Sequence, residues 1–89
     1  MLKSIIYNLK DINAEHLLAN KCQSYAEGVE SAWSTYNSII MLVPLNDIED
    51  RVKMKLALAY ADRDYANNNA EQVFQTGMID FYEYVLDYE

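Results

Sequence analysis

The sequence predicts an all-α fold: an antiparallel helical hairpin or three-helix arrangement with a short N-terminal arm, in a single domain spanning 1–89. Three observations carry this reading. Apolar residues recur at steps of three and four along most of the chain. Gly occurs twice and Pro once, too few turn formers for a sandwich or barrel of short strands. Strand signals are poor, with only Ser4-Ile5-Ile6-Tyr7 suited to an extended run.

Residues 1–12 read as the arm. A helix is expected over 13–40, where Leu18, Cys22, Tyr25, Val29, Ala32, Tyr36 and Ile39 form one apolar stripe. Asp11 or Asn13 can cap its start, because their side-chain oxygens satisfy free helix N–H groups. Val43-Pro44 ends it, since Pro disfavours helix at the residue before it. A second helix is expected over 46–68. Asn46-Asp47 offers its cap, and Glu49 and Asp50 suit the positive end of the helix dipole. Ile48, Val52, Leu56, Ala59 and Tyr60 keep helical spacing there. Asn67-Asn68-Asn69 is a polar interruption of low helix propensity. Beyond it Ala70, Phe74, Gly77, Phe81, Tyr84 and Tyr88 resume the step. Residues 69–87 are thus a third helix or a kinked continuation of the second.

Charge narrows the range of functions. Seven basic against fourteen acidic side chains leave a net charge of -7. Such a chain lacks the broad basic surface that duplex nucleic acid or an anionic membrane requires. The deficit is uneven. Residues 61–89 carry Arg63 against Asp62, Asp64, Glu71, Asp80, Glu83, Asp87 and Glu89, so the first 60 residues are near neutral. The longest apolar run, Ile39 to Val43, falls far short of the roughly 20 residues that span a bilayer. The opening MLKSIIYNLKDIN lacks the apolar core of a signal peptide, and one Cys excludes an internal disulfide, so a cytoplasmic location is expected. A monomer of this size buries little surface, which makes a homo-oligomer the expected state.

Enzyme chemistry is not expected. His16 is the only histidine and reads as an exposed residue near a helix start. Cys22 falls in the apolar stripe and reads as a buried packing cysteine. No Gly-rich phosphate loop and no metal-ligand spacing is present, so no cofactor is expected. Asp62, Asp64 and Glu71 read as a solvated acidic face. Tyr25, Trp33, Tyr36 and Phe74 read as core or interface, and some of Tyr82, Tyr84 and Tyr88 as facing water or a partner. Tyr7 stands apart, in Tyr7-Asn8-Leu9-Lys10, near Lys3, Lys10 and Lys21. A ring that stacks on a base, an ammonium that meets a phosphate and amides that read polar edges are the parts of a nucleotide site. The alternative is that Tyr7 staples the arm to the helices.

Two segments carry a family resemblance. One is Tyr7-Asn8-Leu9 followed by Asn20-Lys21-Cys22-Gln23-Ser24. The other is Ala70-Glu71-Gln72-Val73-Phe74-Gln75-Thr76-Gly77-Met78. Together they resemble the bacteriophage anti-CBASS sponges, small helical proteins that sequester cyclic oligonucleotides without cleaving them. The resemblance implies a homohexamer, with cyclic dinucleotides held between protomers and cyclic trinucleotides in separate pockets. It implies that Tyr7 stacks on a dinucleotide base and Lys21 contacts its phosphate. It places Asn8, Ser24 and Arg63 in the trinucleotide site. The family sets its lysine one position later, at Cys22 here, and has a more basic stretch where this chain has Asp80-Phe81-Tyr82-Glu83.

Two other readings compete. Arrayed carboxylates of the last third could imitate DNA phosphates and occupy a host nuclease or DNA-binding protein. The stripes could equally form a plain helical interaction protein.

Overall fold

Val43-Pro44 and the asparagine run divide the chain into three helices in the computed structural model, which describes residues 15–18 and 22–87. They are α1 (Gln23–Leu42), α2 (Ile48–Asp64) and α3 (Asn69–Asp87). Single 3-10 turns cover Glu15–Leu17 and Leu45–Asp47. No strand occurs among the described residues. The arm, with Ser4–Tyr7 and the expected caps Asp11 and Asn13, lies outside them.

The first helix starts later than periodicity suggests. Cys22 is its N-cap, with an extended backbone at φ -72 and ψ 165, so the stripe over 13–40 is not one helix. Leu18 packs on the core from the 3-10 region instead. Cys22 is exposed, which corrects the reading of it as a buried packing residue. The error has a plain cause: a step of four cannot reveal that the backbone leaves the helix between two apolar residues. The far end behaves as expected. Val43 is extended at ψ 135 and donates its N–H to the Ile39 carbonyl at 2.8 Å, closing α1 ahead of Pro44.

The second helix spans fewer residues than 46–68. Asp47 is its N-cap but makes no side-chain capping bond, because the 3-10 turn leads directly into it. Glu49 and Asp50 do occupy the first turn. Glu49 also pairs with Lys53 at 3.0 Å, the favourable acid-before-base order at i,i+4.

The asparagine run is a helix start and not a kink. The Glu71 N–H donates to Asn68 Oδ1 at 2.8 Å, and the Asn67 N–H donates to the Glu71 carboxylate at 3.3 Å. This is a near capping box, in which two orphan donors find side-chain acceptors. It sets the start of α3 at Asn69.

The third helix is the centre of the molecule and packs against both α1 and α2, which touch each other only slightly. Its buried residues accordingly spread over more than one face: Gly77, Ile79, Phe81, Tyr82 and Val85. Against them stand Tyr25, Val29, Ala32, Tyr36 and Ile39 of α1, and Ile48, Val52 and Ala59 of α2. Removing such apolar side chains from water stabilises the fold by about 1.5–3 kcal/mol each. Phe81 is an aromatic hub, stacked on Trp33 at 6.0 Å and edge-on to Tyr36 at 5.9 Å.

The two glycines mark the α1–α3 crossing. A Cβ on Gly28 would lie 2.0 Å from the Phe74 carbonyl oxygen, and one on Gly77 would lie 2.3 Å from that of Tyr25. Each glycine is therefore filled by the backbone of the opposite helix, and only hydrogen fits there.

Candidate functional site

Of the residues expected to bind nucleotides, Tyr7, Asn8 and Lys21 lie outside the described part of the chain. Ser24 and Arg63 lie inside it, and the fold puts them in different concavities.

Ser24 is the second residue of α1 and half-buried. It lines an open concavity of about 510 Å³ with Glu27, Asp62, Tyr65, Glu71 and Gln75. Glu27, Asp62 and Glu71 line this hollow with the serine, so within one chain it is a poor place for a phosphate. The Gln75 Oε1 is buried and has no hydrogen-bond partner.

Arg63 stands in the last turn of α2, where a cation suits the negative end of the helix. It lines a second concavity, of about 420 Å³, with Asp64, Asn69, Gln72, Val73 and Thr76. Its guanidinium lies over the Tyr60 ring, 5.1 Å from the centroid. The Tyr60 hydroxyl in turn donates to the Glu83 carboxylate, so α3 anchors the ring that supports the arginine. That bond to Glu83 is the main reason the Tyr60 phenol is raised above its ordinary pKa.

The two hollows lie on different sides of α3. Residues 70, 71, 74 and 75 line the first, and 69, 72, 73 and 76 the second. One chain therefore does not bring Ser24 and Arg63 into one pocket. Asn69, Gln72 and Thr76 are not site candidates by sequence, yet they line the hollow of Arg63 with amide and hydroxyl groups, beside the Asp64 carboxylate. Their spacing of three and four on a helix was the available signal. The Thr76 hydroxyl is already engaged, donating to the Gln72 carbonyl at 2.8 Å.

The acidic third is partly tied into the fold. The Tyr25 hydroxyl donates to Asp80, so Asp80 and Glu83 each accept a hydrogen bond from a tyrosine. Burial and then Asp80 raise the Tyr25 phenol strongly. Burial alone pushes Tyr36 up to about 12. Tyr82 is also raised, chiefly by burial. The Tyr36 and Tyr82 hydroxyls are both buried without a partner. Tyr82 thus joins the core, whereas Tyr84 is half-buried with its ring 4.9 Å from the exposed His16. Tyr88 lies outside the described residues. Asp62, Asp64 and Glu71 are exposed, as a solvated acidic face requires.

Among the described residues no three His, Cys, Asp or Glu side chains group to hold a metal ion. No described helix is long and apolar enough to cross a membrane. No protein-family model, curated protein or solved structure matches this chain.

Proposed function

We propose that this protein is a non-enzymatic sponge that binds and sequesters cyclic di- or trinucleotide immune signals and so blocks host anti-phage defence. It acts in the host cytoplasm as a homo-oligomer of three-helix protomers, a hexamer by the family resemblance. The observation that supports this best is the surround of Arg63. A guanidinium held on an aromatic face meets a phosphate, and the neighbouring Asn69 and Gln72 amides can read polar base edges. A compact ligand with two or three phosphates needs only a few such cations, because salt screens the remaining negative charge beyond roughly 8 Å.

Assembly is part of the reading. Ser24 sits among carboxylates in its own chain, so it can serve a phosphate only if another copy brings a cation to it. Tyr7, Lys21 and Asn8 supply the dinucleotide contacts and the rest of the trinucleotide site. The DNA-mimic alternative is weakened because Asp80 and Glu83 are occupied by tyrosine hydroxyls and leave fewer carboxylates for an array. The helical interaction protein keeps one specific support, the exposed apolar side chains Met54 and Leu58 on α2.

Calorimetry with cyclic dinucleotides and trinucleotides is the test. Arg63→Ala should weaken trinucleotide binding by about tenfold to a hundredfold, the loss of one charge-assisted contact. Tyr7→Ala should abolish dinucleotide binding and leave assembly intact. A folded oligomer that gives no heat with any cyclic nucleotide overturns the reading.

A further inference from the structure

The second helix has apolar residues on two faces. Ile48, Val52 and Ala59 are buried against the core. Met54, Leu58, Ala61 and Tyr65, at steps of four, three and four, are exposed, with Tyr65 83% accessible. Leu58 and Met54 are 51% and 56% accessible. At 100° per residue, this second stripe and its neighbours Arg51, Lys55 and Asp62 occupy about 120° of arc beside the core-facing side. Met54, Leu58 and Ala61 are exposed, Arg51 and Lys55 border the groove against Ile39 and Leu42 of α1, and Asp62 and Tyr65 border the Ser24 hollow.

The stripe is also self-complementary when reversed. Its first half carries Arg51 and Lys55, and its second half carries Asp62 and Tyr65. A two-fold axis through Leu58, running the second copy antiparallel, sets Leu58 against Leu58 and Met54 against Ala61. The same axis brings Lys55 beside Asp62 and Arg51 over Tyr65. Every cation on the stripe then meets a carboxylate or an aromatic face, and the steps of three and four match from both directions. Such a pattern is the signature of an isologous contact, where one patch binds its own copy. Parallel pairing, by contrast, would set Lys55 against Lys55.

We propose that the outer face of α2 is a homodimer interface: two copies pack their α2 helices antiparallel about a two-fold axis at Leu58. This names the first symmetric contact of the assembly, and it stands on the geometry of α2 whether or not a nucleotide binds.

Single-cysteine crosslinking tests it on the full chain in a Cys22→Ser background. Leu58→Cys should form a covalent dimer under mild oxidation on the order of a hundredfold faster than Lys53→Cys, which points elsewhere on α2. The ratio reflects an effective concentration of about a millimolar across a preformed contact against a bulk one of about ten micromolar. Lys55→Asp should shift the protein to monomer in sedimentation, and adding Asp62→Lys in the same chain should restore the dimer. These positions are solvent-facing or partly so, and circular dichroism checks that the variants stay helical. Equal crosslinking rates at 58 and 53, or no rescue by the charge swap, overturns the proposal; both results would follow if residues 1–14 or a different protein covered the stripe. A dimer that gives no heat with any cyclic nucleotide leaves this contact standing and sinks the sponge.

Discussion

Gly28 and Gly77 show how a single atom decides the packing of this chain. Alanine is the better helix former by about 1 kcal/mol, so propensity alone favours replacing either glycine. The opposing carbonyls at 2.0 and 2.3 Å reverse that sign, because a methyl group would force α1 and α3 apart. Gly28→Ala and Gly77→Ala should each destabilise by about 2 kcal/mol or more, lowering Tm by roughly 8–16 °C. The double variant should cost less than the two together, since one separation relieves both clashes. The buried phenols carry the opposite expectation. Tyr36 spends its hydroxyl on a site without a partner, so Tyr36→Phe should be neutral or stabilise by about 1 kcal/mol in a thermal melt. Its pH dependence has a defined sign. Tyr36 has a folded-state pKa near 12 against 10.0 unfolded, so the folded state holds that proton more tightly. The associated stability is complete below about pH 10 and is lost as pH rises toward 12. Alkaline melts of Tyr36→Phe should therefore lose less stability over that window than the parent. The burial of Tyr36 is legible in the sequence as a step of the apolar stripe, whereas one-dimensional spacing puts Gly77 in a stripe without showing which backbone it meets.

At the level of elements, the sequence was most informative where a local chemical signal coincided with a boundary. Val43-Pro44 ended α1 as expected, and α3 runs over 69–87 as read. The asparagine run was read as an interruption, yet Asn68-Asn69-Ala70-Glu71 carries the spacing of a capping box, and the bonds to Asn68 and Glu71 make it a start. Asn68→Ala should accordingly destabilise by about 1 kcal/mol, whereas Asn69→Ala, one residue inside the helix, should change Tm little. The start of α1 is hidden in the sequence because Leu18 and Cys22 fall in phase with a helix that begins only at Gln23. The breadth of burial on α3 was also illegible, because a helix flanked by two others buries residues outside any single stripe. The outer stripe of α2 lies in the sequence, but only the placement of Ile48, Val52 and Ala59 against the core shows that Met54 and Leu58 are left exposed.

For the whole molecule, the acidic balance and small size take on separate meanings. The negative charge does not act as one field: Asp80 and Glu83 accept hydrogen bonds from tyrosine hydroxyls, three carboxylates line the hollow of Ser24, and Arg63 stands apart on the other side of α3. The candidate site is legible in the sequence only in part for this reason. Arg63 was conspicuous as the sole cation of the last third, but its companions Asn69, Gln72 and Thr76 required the helix to be placed. Ser24 was matched to it by resemblance, and one chain keeps the two apart. A shared site therefore demands more than one copy, and the reversed symmetry of α2 supplies a way to bring copies together. The most direct measurement is native mass spectrometry of the purified protein with equimolar cyclic dinucleotide and cyclic trinucleotide. The account predicts a homo-oligomer that carries intact cyclic nucleotide, its mass unchanged after prolonged incubation. A species that retains no cyclic nucleotide, or that releases a linearised one, would contradict it.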